Sequence, residues 1–207
     1  MGEIFAVVRK ERSYFLKKAL TEEGIPYVSW LVKGRGKEGG LRYKGLIREK
    51  VLMPFLPKVA FSILCAEEEE DRVIGLIMEK THTGAYGDGK IFLIKEDEEE
   101  STMKMVKAVI RPEKVYEVIK ALEKKGLKAM TMWDVVGRGK EGGVQVGETP
   151  YDELAKTMLM VAVEEKDLQK AVDTIMKTAR TGAYGDGKIF VCNISQVWTI
   201  RTKEKGL

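Results

Sequence analysis

TGAYGDGKIF occupies residues 83–92 and recurs, letter for letter, at residues 181–190, 98 positions later in a chain of 207 residues. The recurrence decides the fold, because other landmarks keep the same order around both copies. GRGKEGG at 34–40 returns at 137–143, and AVVRK at 6–10 is echoed by AVIRP at 108–112. A chain of this length suits either one large domain or two of about 100 residues, and the repeat selects two. Between Gly40 and Thr83 lie 42 residues and between Gly143 and Thr181 lie 37, so the first copy carries five more. Lys58 and Lys156 are already 98 apart, which places that difference between GRGKEGG and the lysine. The run KEDEEEST, residues 95–102, has no apolar residue and predicts a solvated linker. The domains are therefore expected at 1–94 and 103–207.

Each copy reads as strand, helix, strand, long loop, strand, helix, tight turn, strand. In the second, MKMVKAVI alternates as a strand, and Pro112 suits the first turn of a helix. Val115, Val118, Ile119 and Leu122 follow at helical spacing, and Gly126 is placed to end that helix. Strands through AMTMWDVV, TMLMVAV and KIFVCNI and a helix through KDLQKAVDTIMKTA complete the unit. The first copy follows suit, with VIGLIMEK as its second helix. The order βαββαβ is the split arrangement of ferredoxin-like folds. The expected class is α+β, two tandem units with antiparallel sheets and both helices on one face.

Composition narrows the function. Hydrophobic residues at 44% and charged residues at 33% describe an ordinary globular protein. The longest apolar runs fall far short of the ~18–20 residues that span a bilayer, and MGEIFAVVRK lacks the features of a signal peptide. A cytoplasmic protein without membrane insertion is expected. Cys65 and Cys192 sit in apolar runs with no histidine nearby, which predicts two reduced core thiols. A net charge of +4, from 36 basic and 32 acidic residues, does not argue for nucleic acid. The predicted strands also lack the paired stacking aromatics of an RNA-binding sheet.

Gly87-Asp88-Gly89-Lys90 and Gly185-Asp186-Gly187-Lys188 each lead into a strand. Glycines permit positive φ and close backbone approach, successive N–H groups can converge on an anion, and the lysine adds a point charge suited to phosphate. A lone Asp-Gly would more simply be a tight turn. Here ten residues are identical in both copies while the helices differ, which favours phosphate binding. Gly34-Arg35-Gly36-Lys37 and Gly137-Arg138-Gly139-Lys140 offer a second, less specific pair of cationic loops. Neither motif is a P-loop or a dinucleotide fingerprint. His82 has Arg180 as its counterpart and reads as a helix-end residue, and Glu67 to Asp71 read as a solvated helix N-terminus. No residue stands in a recognisable setting for catalysis, so the chain is not expected to be an enzyme.

TGxxGDGKIF closing a βαββαβ unit, with a glycine-rich loop base and a lysine opening the third strand, resembles the PII nitrogen-signalling proteins. The second unit is similar along its whole length through RPEKV, MTMWDVVGRGK, YDELAKTMLMVAV and TIRT. It resembles one of the paired nif-linked PII-like regulators of nitrogenase, and the first unit, with LPK, resembles the other. The resemblance implies ATP or ADP bound between subunits, with contacts at Gly36, Lys37, Gly87, Asp88, Gly89 and Lys90, and at Gly139, Lys140, Gly185, Asp186, Gly187 and Lys188. It implies Thr131, or Ser29 in the first unit, near the adenine, and Arg201 from the C-terminal segment. Lys58 and Lys156 match the lysine that contacts 2-oxoglutarate. Glu38 and Glu141 stand where many members have a magnesium-binding glutamine; a carboxylate holds magnesium too, but adds negative charge beside a dianionic effector.

The function so implied is a regulator that senses ATP or ADP and docks on a nitrogen-metabolism protein, most simply a nitrogenase component, through T-loops at about 37–57 and 140–155. An ammonium transporter is the alternative target, on the strength of Tyr43-Lys44-Gly45. An enzyme acting on a phosphorylated metabolite is the reading from a different class. The resemblance also implies trimers, and a homotrimer of fused chains would hold six units, enough for two rings. The first unit lacks the C-terminal segment, because the chain runs from Ile94 into the acidic linker.

Overall fold

The computed structural model describes residues 2–36, 41–44, 50–95, 101–137, 144–146, 149–151 and 154–207. The first unit contains β1 (Gly2–Arg9), α1 (Lys10–Glu22), β2 (Val28–Arg35), β3 (Leu41–Lys44), β4 (Lys50–Met53), β5 (Leu56–Cys65), α2 (Glu70–Thr81) and β6 (Gly89–Ile94). The second contains β7 (Met103–Ile110), α3 (Val115–Lys124), β8 (Met130–Gly137), β9 (Val144–Val146), β10 (Thr149–Tyr151), β11 (Leu154–Glu164), α4 (Glu165–Ala179) and β12 (Gly187–Ile194). A C-terminal tail adds β13 (Gln196–Thr199) and β14 (Glu204–Lys205). Among the described residues no helix is long and apolar enough to cross a membrane.

The helices form where periodicity predicts them. Val118, Ile119 and Leu122 turn one face of α3 into the core, and Gly126 follows the helix at φ +86°. Pro112 opens a 3-10 turn ahead of α3, where its missing N–H costs nothing. Two expectations need correction. Glu70 is not solvated: it is buried at the start of α2 against Gly2, and Lys95 Nζ lies 3.1 Å from its Oε2. Cys192 is half-buried on β12, whereas Cys65 is buried as expected.

The linker lies partly outside the described residues, but its ends are fastened. Lys95 Nζ donates to Glu67 Oε1 at 2.8 Å, Ser101 Oγ donates to the carbonyl of Ile194 at 2.5 Å, and Glu165 N–H donates to the carbonyl of Thr102 at 2.8 Å.

Both units are α+β with antiparallel strands, in the orders β6-β1-β5-β2 and β12-β7-β11-β8. The two sheets are continuous. Lys33, Gly34 and Arg35 of β2 pair with Met132, Thr131 and Met130 of β8, giving one ten-stranded sheet. Arg35 also forms an ion pair with Glu123 of α3, binding the first unit's loop base to the second unit's helix.

The tail settles the shape. β12 lies at one end of the sheet, yet β13, only Ser195 away, pairs with β6 near the other end. Ser195 N–H donates to the carbonyl of Leu93 at 2.8 Å. The two ends must therefore meet, and the sheet curls on itself with the helices outside. Side-chain alternation along β1 fits this arrangement. Ile4, Ala6 and Val8 face a core shared with α1 and α2, while Phe5 and Val7 face an inner core shared with Val32, Phe92, Met105, Met160, Ile194 and Val197. Inside it, Phe5 packs on Trp30 and Trp133 with ring centroids 5.8 and 6.4 Å away. The tail also inserts Trp198 and Ile200 into the first unit's helix-facing core.

Candidate functional site

The repeated decapeptide is built around its aspartate. Asp88 is fully buried, and its carboxylate accepts from the N–H groups of Thr83 and Gly84 at 2.8 Å each, from Thr83 Oγ1, and from Arg9 Nε at 3.0 Å. Burial pushes its pKa up, but these bonds outweigh burial and hold it below the usual carboxylate range. Asp186 repeats the arrangement with Thr181, Gly182 and Arg111. The aspartates thus hold the turn from within. The last glycine of each turn is fixed by space: a Cβ on Gly89 would sit 1.8 Å from the carbonyl oxygen of Val7, and one on Gly187 1.8 Å from that of Val109. Their φ values, +120° and +118°, exclude a side chain independently.

Two cations sit against each turn. Lys58 opens β5, is buried, and donates to the carbonyl of Gly87; Arg9, ending β1, donates to the carbonyl of Tyr86. Burial first, and then the neighbouring Arg9 charge, lowers the Lys58 pKa from 10.5 to about 8. Lys156 and Arg111 do the same at Gly185 and Tyr184, and burial followed by Arg111 lowers the Lys156 pKa. Arg9 and Arg111 carry no role in the sequence reading. The signal was the arginine shared by AVVRK and AVIRP, but Arg9 lies 79 positions from Asp88, beyond any local spacing rule.

The first turn gains partners from the second unit. Lys90 Nζ donates to Thr199 Oγ1 at 2.9 Å and lies 3.3 Å from the carbonyl oxygen of Gly206. Ile200 N–H donates to the carbonyl of Gly89 at 3.1 Å, and the Arg201 guanidinium lies 4.7 Å from the centre of the Tyr86 ring. His82, at the end of α2 as expected, has Nε2 3.2 Å from the carbonyl oxygen of Arg201. Across the seam, Thr131 pairs with Gly34, two residues before Gly36. The first turn thus meets Thr199, Ile200 and Arg201 of the second unit's tail, while Gly34 of the loop base meets Thr131.

Among the described residues the second turn has no such wall. Gly185, Gly187 and Lys188 are exposed, and among the described residues β12 pairs with β7 alone. Phe190 is 51% exposed and Val191 46%, against 4% and 1% for their counterparts Phe92 and Leu93, which β13 covers. Ser29 lies on the stretch of β2 that β8 does not reach. Lys37, Glu38, Gly139, Lys140 and Glu141 lie outside the described residues.

Buried or flanking cations, glycine amides and an inward-held carboxylate make a surface suited to a polyanion such as a phosphate chain. A model of the family described as "Nitrogen regulatory protein P-II" matches the chain twice, over residues 1–98 and 103–204. The chain is 49% identical over 105 residues to the "Nitrogen fixation nifHD region glnB-like protein 1" of Methanococcus maripaludis, covering 51% of this chain and all of that one. It is 43% identical over 108 residues to "Nitrogen regulatory protein P-II 2" of Methanothermobacter thermautotrophicus, covering 50% of this chain and 94% of that one. A crystal structure of Arabidopsis thaliana PII bound to citrate aligns with a TM-score of 0.44 at 34% identity, over 52% of this chain and 88% of that one.

Proposed function

The chain belongs to the nitrogen regulatory protein P-II family, and on that premise we propose that it is a non-enzymatic cytoplasmic regulator whose first-unit cleft binds ATP or ADP. The observation that carries this is the bridge from Lys90 to Thr199, which brings the glycine turn of one unit against the tail of the other. Phosphates would lie over Gly87, Gly89 and Lys90 with Arg9 and Lys58 behind them, and the adenine toward Thr131. Asp88 acts by holding the turn. Lys58 and Lys156 are assigned to 2-oxoglutarate and Glu38 and Glu141 to magnesium, and the added carboxylate charge makes 2-oxoglutarate the weaker effector. We take the units as 1–94 and 103–207 with 95–102 between them. The loops at about 37–57 and 140–155 are the docking elements, and the names of the nif-region relatives favour a nitrogenase component as target.

Nucleotide binding does no regulatory work unless it prefers one loop state over another, so the loops must respond by the difference in affinity. Calorimetry with ATP and ADP, each with and without magnesium and 2-oxoglutarate, tests the reading. Binding at physiological nucleotide concentration, with little turnover, is expected. Absence of binding would reject the regulator, and steady hydrolysis would favour an enzyme.

A further inference from the structure

Beyond β13 the tail turns back on itself. Trp198 and Thr199 of β13 pair with Lys205 and Glu204 of β14, and Lys203 N–H closes the turn by donating to the carbonyl of Thr199 at 2.8 Å. Lys203, at φ +59°, is the one non-glycine residue among those described with a positive φ, a conformation that persists only where its surroundings hold it. Gly206 follows at φ +119°, its N–H donating to the carbonyl of Val197 at 2.9 Å.

This return brings the tail onto the cations of the first glycine turn. The carbonyl oxygen of Gly206 lies 3.3 Å from Lys90 Nζ, beside Thr199 Oγ1 at 2.9 Å, while Arg201 rests 4.7 Å from the centre of the Tyr86 ring. The charges that a phosphate chain would use are thus engaged by groups of the protein itself. Bonds from lysine or arginine to a phosphate oxygen are charge-assisted at both ends and stronger than those to a carbonyl or a ring face. An entering phosphate therefore displaces both contacts.

The two parts of the tail are held unequally. Trp198 and Ile200 are buried in the first unit's core, Ile200 N–H donates to the carbonyl of Gly89 at 3.1 Å, and the Arg201 carbonyl oxygen lies 3.2 Å from His82 Nε2. By contrast Lys203, Glu204 and Lys205 are exposed, and Leu207 is partly buried against the inner core. A segment with so few buried apolar contacts opens far more easily than the strand before it.

We propose that residues 203–207 form an internal latch on the first cleft, in which the Gly206 carbonyl holds Lys90 until a phosphate chain replaces it and the segment lifts about Thr202. The inference rests on the phosphate site of the proposed function and adds that the empty cleft is closed by the chain itself. The measured affinity is then the intrinsic affinity reduced by the fraction of open latches.

The test combines amide hydrogen exchange and calorimetry on the full chain with ATP and with inorganic tripolyphosphate, which offers the phosphate chain without the adenine. Either ligand should speed exchange at Lys203 and Gly206 while Ile200 stays protected. Gly206→Pro removes the N–H and the positive φ together, and Leu207→Ser removes the apolar anchor. Each should tighten binding of both ligands by roughly fivefold, as expected when a closed majority form is removed. A circular dichroism melt close to that of the wild type shows that each variant folds. The latch is overturned if the wild type binds ATP and the folded variants bind no more tightly, or if exchange at Lys203 and Gly206 slows on binding. Binding by the variants alone supports it. Binding of neither ligand by any of the three proteins overturns the proposed phosphate site itself, and the latch with it.

Discussion

At the scale of single residues, the repeated decapeptide serves the fold, and on the proposed reading it also faces a phosphate chain, two purposes that sequence cannot separate. Its glycines are required by the fold, since Gly89 and Gly187 press against the carbonyls of Val7 and Val109. Gly89→Ala should therefore destabilise the protein by roughly 2 kcal/mol or more through positive φ and the clash together, read as a lower denaturant midpoint. Gly84→Ala meets no neighbouring atom and strains only through its φ of +78°, so a smaller loss is expected.

Lys58 makes a different prediction, because its charge is what a phosphate would use. Protonated below about pH 8, it attracts an anion; above that pH the free protein has lost the charge. Affinity for ATP should fall as pH rises through about 8, and Lys58→Met should bind more weakly at pH 7 and flatten that part of the profile. The linkage in the free protein has the opposite sense. Between about 8 and 10.5 the unfolded lysine keeps a proton that the folded one releases, so stability rises with pH across that window. Melting temperatures of wild type and Lys58→Met over that range check it.

At the scale of elements, the strands and helices were legible because periodicity and the Gly and Pro punctuation agree locally. α3 between Pro112 and Gly126 is the clearest case. The partner of β13 was not legible. VWTI reads as a strand, but no local pattern says that it crosses to β6, because an antiparallel partner is chosen by an exposed edge and a core far away in sequence. The same applies to Arg9, Glu70 and Cys192, whose burial and bonds come from pairings between distant segments. The resemblance supplied the glycine turns, Thr131 and Arg201 as candidates; the structure places Arg201 over the Tyr86 ring beside the first turn and Thr131 opposite Gly34 of the loop base. Trp198→Ala tests the tail as an element. The side chain is 7% exposed within the first unit's core, so its loss should cost about 3–5 kcal/mol and should also weaken nucleotide binding by loosening Thr199 and Arg201. Tyr184→Ala, on a ring 82% exposed, should change stability by less than about 0.5 kcal/mol.

At the scale of the whole molecule, duplication has produced two turns of identical sequence and different surroundings. One is walled by the other unit's tail; the other lies at a bare sheet edge. The asymmetry follows from the covalent order, because the first unit runs into the linker where a tail would begin. The second unit therefore lends its tail to the first and, among the described residues, receives none in return. Identical motifs should accordingly bind nucleotide unequally when the chain is alone.

The most direct measurement of that claim is a calorimetric titration of ATP into the isolated chain, the Lys90→Ala variant and the Lys188→Ala variant. Wild type should show one dominant site per chain, lost or weakened about tenfold or more in Lys90→Ala, a loss of roughly 1.4 kcal/mol in binding, and nearly unchanged in Lys188→Ala. Two equal sites, or equal losses in the two variants, would contradict the account.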